Sequence, residues 1–128
     1  MKELRKEGAP TETYARHLRE GRLAFQHCMS CGRAVFYPRV LCPYCGSTSL
    51  EWRESSGRGT VYATTAIYHR DREPYNVALV DLDEGFRMMS RVEGTAAEEV
   101  EIGLRVSFET REEEEGPVVV FVAEEGLA

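Results

Sequence analysis

The sequence predicts a mainly β protein in three parts: a short N-terminal helix, a small cysteine-bearing ribbon and a five-stranded antiparallel barrel. Three observations carry this. Helical spacing of apolar residues is found before residue 24. All four cysteines fall within one stretch, CMSCGRAVFYPRVLCPYCGS (residues 28–47). From residue 60 onward, runs of β-branched and aromatic residues alternate with turn signals.

The helix is read from TETYARHLREGRL, residues 11–23. Thr11 is its expected N-cap and Gly21 its expected stop. Tyr14, Ala15 and Leu18 share one face at spacings of three to four. That apolar stripe is narrow, so the helix is expected to lie on another surface, of its own chain or of a partner.

The cysteines follow the pattern Cys28-x2-Cys31-Gly32, ten residues, then Cys42-x2-Cys45-Gly46. Two intervening residues let both thiolates of a pair face one ion from a tight turn. The glycine after each second cysteine permits the left-handed backbone such a turn needs. Two pairs supply four sulfurs, a closed tetrahedral shell at about 2.3 Å from the ion. Zinc is the expected metal, as one structural ion; iron uses similar ligands and stays open. A catalytic metal keeps an open position, and four thiolates leave none. His27 adjoins Cys28 and competes as a ligand only if a cysteine is displaced. The metal is expected to replace a hydrophobic core that so short a segment cannot build. Between the pairs, RAVFYPRVL carries apolar Val35, Phe36, Tyr37 and Leu41 beside basic Arg33 and Arg39. Not all of these can be buried in so small a unit, so some are expected to face the barrel or another protein.

SSGRGT, residues 55–60, is the connector. The strands follow: residues 60–69, then 76–82 and 86–93 meeting at a DEG turn, then 104–110 and 117–123 on either side of the charged loop REEEEG. Residues 96–103 are expected to hold a short helix or loop. Five short, mostly antiparallel strands point to a barrel of the OB type.

Composition limits the function. The chain has 128 residues, 42% hydrophobic and 30% charged, as in a folded globular protein. Its net charge of −6 is uneven: +2 over residues 1–24, +2 over 25–59 and −10 over 60–128. A module tracking nucleic acid shows a basic stripe, and the acidic half opposes that reading. No apolar run approaches the ~18–20 residues that cross a bilayer, and MKELRKEGAP lacks a signal-peptide core. The expected location is the cytoplasm, where clustered cysteines bind metal rather than pair as disulfides.

No catalytic set can be assembled from spacing. All four cysteines sit in the two pairs, and His17, His27 and His69 are scattered. His69, near Tyr75, is a candidate groove residue. Asp81, Asp83 and Glu84 cluster at the DEG turn, where carboxylates are usually solvated.

The order LREGRLAFQHCMSCG, YPRVLCPYCGSTSLEWRESSGRGTVYATT, YNVALVDLDEGFRMMSRVEG and IGLRVSF resembles the DUF35 family from about residue 14 to 121. The resemblance implies a helical lead (1–22), a rubredoxin-like zinc ribbon (23–54) and an OB-fold barrel (55–128). It also implies a non-catalytic small subunit of a thiolase-like complex acting on acyl-CoA thioesters. The large subunit would make or break carbon–carbon bonds. The small one would support assembly and the acyl-CoA site, in a hetero-oligomer with neither nucleic acid nor membrane as partner. Arg33, Arg39 and Arg58 are the candidates for contact with CoA phosphate or the partner. The competing readings are a nucleic-acid-binding ribbon and barrel, and a free-standing acyl-CoA binder.

Overall fold

In the computed structural model, residues 9–124 are described. The first eight residues of the expected lead and the last four of the barrel segment lie outside them. Helix α1 (Pro10–Arg19) comes first. A three-stranded sheet follows, from β1 (Ala24–Cys28), β2 (Ala34–Val35) and β3 (Leu50–Glu54), in the order β2-β1-β3. The second sheet contains β4 (Arg58–Ile67), β5 (Tyr75–Leu82), β6 (Arg87–Ser90), β7 (Val92–Glu93), β8 (Arg105–Glu113) and β9 (Gly116–Ala123). Its order is β6-β5-β4-β8-β9-β7. One 3-10 turn, Ala97–Glu99, lies between β7 and β8, inside the segment expected to hold a short helix or loop. No helix among the described residues is long and apolar enough to cross a membrane.

Three local expectations are corrected. Thr11 does not cap α1: the cap is Ala9, which makes no side-chain cap bond, and Pro10 opens the helix, its missing N–H costing nothing there. The helix does stop at Gly21 as expected, its last helical residue being Arg19: Gly21 (φ 83°) turns the chain and its N–H bonds the Leu18 carbonyl. The segment 86–93 is two strands, broken at Arg91, so the barrel sheet has six strands instead of five. The REEEEG loop is also tighter than read: β8 and β9 pair as far as Glu113 and Gly116, which leaves only Glu114 and Glu115 to turn.

The break at Arg91 closes the barrel. β6 pairs with β5, whereas β7 crosses to run parallel to β9, with Val92 opposite Phe121. The Phe121 amide donates to the Arg91 carbonyl (2.9 Å), and Ser90 Oγ donates to the Val119 carbonyl (2.7 Å). Asn76 bolts this joint from inside. Its side-chain amide donates to Thr64 Oγ1 and the Thr65 carbonyl, and its Oδ1 accepts from the Val92 amide (2.9 Å). Strand alternation puts Asn76 on the inward face of β5 with Ala78, Val80 and Leu82. A buried amide there is stable because all its polar atoms are used.

The glycines of SGRGTVY mark close approaches. A Cβ on Gly57, which has φ 81°, would collide with the Phe108 ring. One on Gly59 would stand 2.5 Å from the Asp81 carbonyl oxygen across the β4–β5 pairing.

Ribbon, helix and barrel share one core. Leu18, Leu23 and Phe25 are buried together with Val61, Val80, Phe86, Val106 and Phe121. Phe86 on the barrel hairpin stacks on Phe25 (centroids 4.8 Å apart) and on Phe36 of the ribbon (5.0 Å). Tyr14 of α1 meets Phe36 edge-on at 5.4 Å. Burial first, and the neighbouring Tyr37 second, push the Tyr14 phenol above its ordinary range. The connector is pinned at both ends: the Ser55 amide donates to the Leu23 carbonyl, while Ser55 Oγ (2.6 Å) and the Ser56 amide (2.7 Å) donate to the Glu84 carboxylate.

Candidate metal centre and the ribbon–barrel cleft

The two cysteine turns repeat one hydrogen-bond pattern. The Cys28 amide donates to the Arg33 carbonyl, and the Gly32 amide to the Cys28 carbonyl. Fourteen residues later the Cys42 amide donates to Ser47, and the Gly46 amide to Cys42, all at 2.9 Å. Gly32 and Gly46 have φ of 81° and 80°, the left-handed conformation their place in the pattern requires. Amides of Cys31 and Tyr44 point at Cys28 Sγ and Cys42 Sγ, each at 3.4 Å. The Cys31 amide is the main reason that the Cys28 thiol is drawn down to about 6; burial opposes the shift and the Ser30 amide adds to it.

The four sulfurs converge, all within 4.8 Å of one another. Cys28 Sγ and Cys45 Sγ are 3.6 Å apart, and Cys31 Sγ and Cys42 Sγ 3.7 Å. A disulfide needs about 2.05 Å. A tetrahedron with metal–sulfur bonds of ~2.3 Å has edges of ~3.8 Å. The donor set therefore fits one thiolate-bound metal ion and not two disulfides. Cys28 and Cys42 are buried, whereas Cys31 and Cys45 face solvent. His27 belongs to β1, where alternation turns it to the face opposite Cys28.

The finger between the turns is held by a residue that spacing rules do not single out. Gln26, buried in β1, donates from Nε2 to the Arg39 carbonyl (2.8 Å) and accepts from the Arg39 amide at Oε1 (2.7 Å). Its amide acts as one more strand partner for the finger. Val35 is buried, Phe36 packs on the shared core, and Tyr37 and Leu41 are exposed. The Tyr37 hydroxyl accepts from the Met89 amide of β6 (3.0 Å), which ties the finger to the barrel.

The three candidate arginines have different surroundings. Arg33 lies over the Tyr44 ring, 4.6 Å from its centroid. Arg39 is exposed, its backbone fixed by Gln26. Arg58 is paired twice with Glu124, at 2.7 and 3.2 Å. The hairpin carboxylates are each committed: Asp81 to Arg87, Asp83 to both terminal nitrogens of Arg105, and Glu84 to the connector. His17 accepts from Arg22 and lies near Trp52, and His69 stacks on Tyr75 at 5.4 Å.

An open cleft runs between the finger and the β5–β6 hairpin. Ala34, Phe36 and Tyr44 line one wall, and Leu82, Phe86 and Arg87 the other.

Family models agree with this two-part layout. The rubredoxin-like zinc ribbon domain of ChsH2 matches residues 15–51, and the C-terminal OB-fold domain of ChsH2 matches residues 52–111. A probable enoyl-CoA hydratase alpha subunit of Thermomonospora curvata is 36% identical over 69% of this chain. This chain spans only 29% of that relative's length. The DUF35 domain-containing scaffold protein of Pyrococcus furiosus is 35% identical, over 77% of this chain and 76% of its own. That of Methanothermobacter thermautotrophicus is 33% identical, over 73% and 77%. Among solved structures, the Ltp2-ChsH2(DUF35) aldolase superposes with a TM-score of 0.80 at 31% identity, over 90% of this chain and 94% of that one. A DUF35 protein from Sulfolobus solfataricus shares the fold, with a TM-score of 0.70 at 19% identity. With the paired cysteine turns, the closed barrel and these relatives in agreement, the chain belongs to the DUF35 family of zinc-ribbon and OB-fold proteins.

Proposed function

We propose that this chain is the non-catalytic small subunit of a cytoplasmic thiolase-like or aldolase-type complex acting on acyl-CoA thioesters. The large subunit carries the carbon–carbon bond chemistry; this chain supports its assembly and its acyl-CoA site. The observation that carries the reading is the likeness, over nine-tenths of both chains, to a chain of the Ltp2-ChsH2(DUF35) aldolase. The scaffold proteins among its relatives point the same way.

Cys28, Cys31, Cys42 and Cys45 would hold one zinc ion, which supplies a cross-link between the two turns of the ribbon. With four thiolates around it, the ion offers no position to a substrate. Its contribution is to fix the finger and the cleft wall. Of the three arginines proposed to meet CoA phosphate or the partner, Arg33 and Arg39 carry no carboxylate of the described residues, while Arg58 already does. Support for contact therefore goes to the two ribbon arginines.

Co-expression with a candidate thiolase-like large subunit tests the reading. One complex should elute on size exclusion, with about one zinc per copy of this chain. Separate elution of the two proteins overturns it.

A further inference from the structure

Four exposed aromatic or methionine side chains stand around the ribbon–barrel cleft. Tyr37 is 50% exposed, Tyr44 56%, Tyr62 50% and Met89 59%. Direct contacts join them into one surface. Tyr37 bonds the backbone at Met89, Tyr44 and Arg87 line opposite walls of the cleft, and the Arg87 guanidinium covers the Tyr62 ring at 3.5 Å. Phe36 and Phe86, stacked on each other, join the two walls. Side chains from two separate parts of the fold thus make one surface of tyrosine, methionine and arginine, the residue types that dominate interface hot spots.

Charge says what would cover it. Residues 21–50 contain three arginines and no aspartate or glutamate, although the chain as a whole carries 22 acidic residues. Arg33 stands over the Tyr44 ring at the cleft, and Arg39 follows Tyr37 by two positions. Neither has a carboxylate partner among the described residues, whereas Arg58, Arg87, Arg91, Arg105 and Arg111 all do. A guanidinium lying on an aromatic ring keeps its edge N–H groups free for a carboxylate.

We propose that this cleft docks the large enzyme subunit through a projecting apolar segment of that subunit flanked by aspartate or glutamate. The apolar segment enters between Tyr44 and Arg87 and rests on Phe36 and Phe86. The flanking carboxylates pair with Arg33 and Arg39. The proposal rests on the accessory-subunit reading and names the face that such a subunit would use. It also assigns a role to the ion: by fixing the finger, the metal fixes one wall of the docking cleft.

The test uses the complex with that thiolase-like large subunit. Three variants are compared with wild type: Arg33→Glu with Tyr44→Ser on the ribbon, Met89→Ser on the barrel, and Glu114→Lys on the far β8–β9 turn as control. Retention of metal and an unchanged far-ultraviolet spectrum establish folding. Should the ribbon pair disturb folding, the Met89 variant on β6 decides alone. The dissociation constant should rise at least about tenfold for the ribbon pair and several-fold for Met89→Ser, and stay within about twofold for Glu114→Lys. Wild-type assembly with ribbon and Met89 variants that bind equally well overturns the docking face and leaves the accessory-subunit reading standing. Failure of wild type itself to assemble overturns both.

Discussion

Phe86 is the barrel residue on which the ribbon rests, so removing its ring should loosen both units at once. The side chain is 5% exposed and stacks on Phe25 at 4.8 Å and on Phe36 at 5.0 Å. Truncation to alanine forfeits the transfer free energy of the ring and leaves a cavity, together about 3–5 kcal/mol. Two aromatic pairs, at ~0.5–1.5 kcal/mol each, overlap with that figure rather than adding in full. An m-value of about 1.5 kcal/mol/M in urea converts the loss to a midpoint lowered by roughly 2–3 M. Trp52, the sole tryptophan, belongs to ribbon strand β3 and so reports the ribbon, while the substitution is in the barrel. Phe86→Ala should move the Trp52 fluorescence transition and the release of metal to a thiol-competing chelator together, by the same shift. A loss below about 1 kcal/mol, or a Trp52 transition that stays in place while barrel circular dichroism shifts, would refute the shared core.

Three further outcomes follow from the same structure. Gly59→Ala should cost about 1–3 kcal/mol in urea denaturation, because its Cβ would meet the Asp81 carbonyl oxygen, a backbone atom in the sheet that cannot swing aside. Cys42→Ser should reduce bound metal, measured by plasma mass spectrometry, from about one ion per chain to near none and unfold the ribbon as seen by Trp52. Acid should destabilise the protein in a defined window. Hydrogen bonding to Arg105 holds the Asp83 carboxyl below its ordinary 3.8, and hydrogen bonding to Arg58 holds Glu124 below 4.5. Depressed carboxylates stabilise the fold above their unfolded values and lose that contribution as pH falls through the folded ones. The melting temperature should therefore fall steeply below about pH 4.5, and Asp83→Asn should reduce that part of the fall.

The four-cysteine cluster was legible because its information is local. Spacing of two residues, a following glycine and a repeat of the unit are all properties of short stretches, and the sulfurs converge as that pattern demands. The strands were legible as runs of β-branched and aromatic residues, but their inward face was not: in YNVALVDL it is Asn76 that is buried, while Val77 and Leu79 are half-buried. What escaped depends on partners far along the chain. Gln26 holds the finger through Arg39, thirteen residues away, and Asn76 fastens the barrel joint through Val92. Both are amides inside strands otherwise rich in apolar residues, a signal that a polar residue there has a buried task. The break at Arg91 has no such mark in RMMSRVEG. It arises because β6 and β7 must serve two different neighbours, β5 and β9. The hairpin carboxylates read as solvated, yet Glu84 joins connector to barrel, a contact spanning 29 residues. The cleft is non-local in the same way, since its walls come from residues 34–44 and 81–87.

The account makes this chain an accessory subunit, so its most direct test is turnover by reconstituted components. Acyl-CoA consumption would be followed for the thiolase-like large subunit alone, for this chain alone, and for the two mixed at equal concentration. The account predicts turnover that depends on the large subunit, rises when this chain is added and is absent with this chain by itself. Turnover by this chain alone, or a large subunit indifferent to its addition, would contradict it.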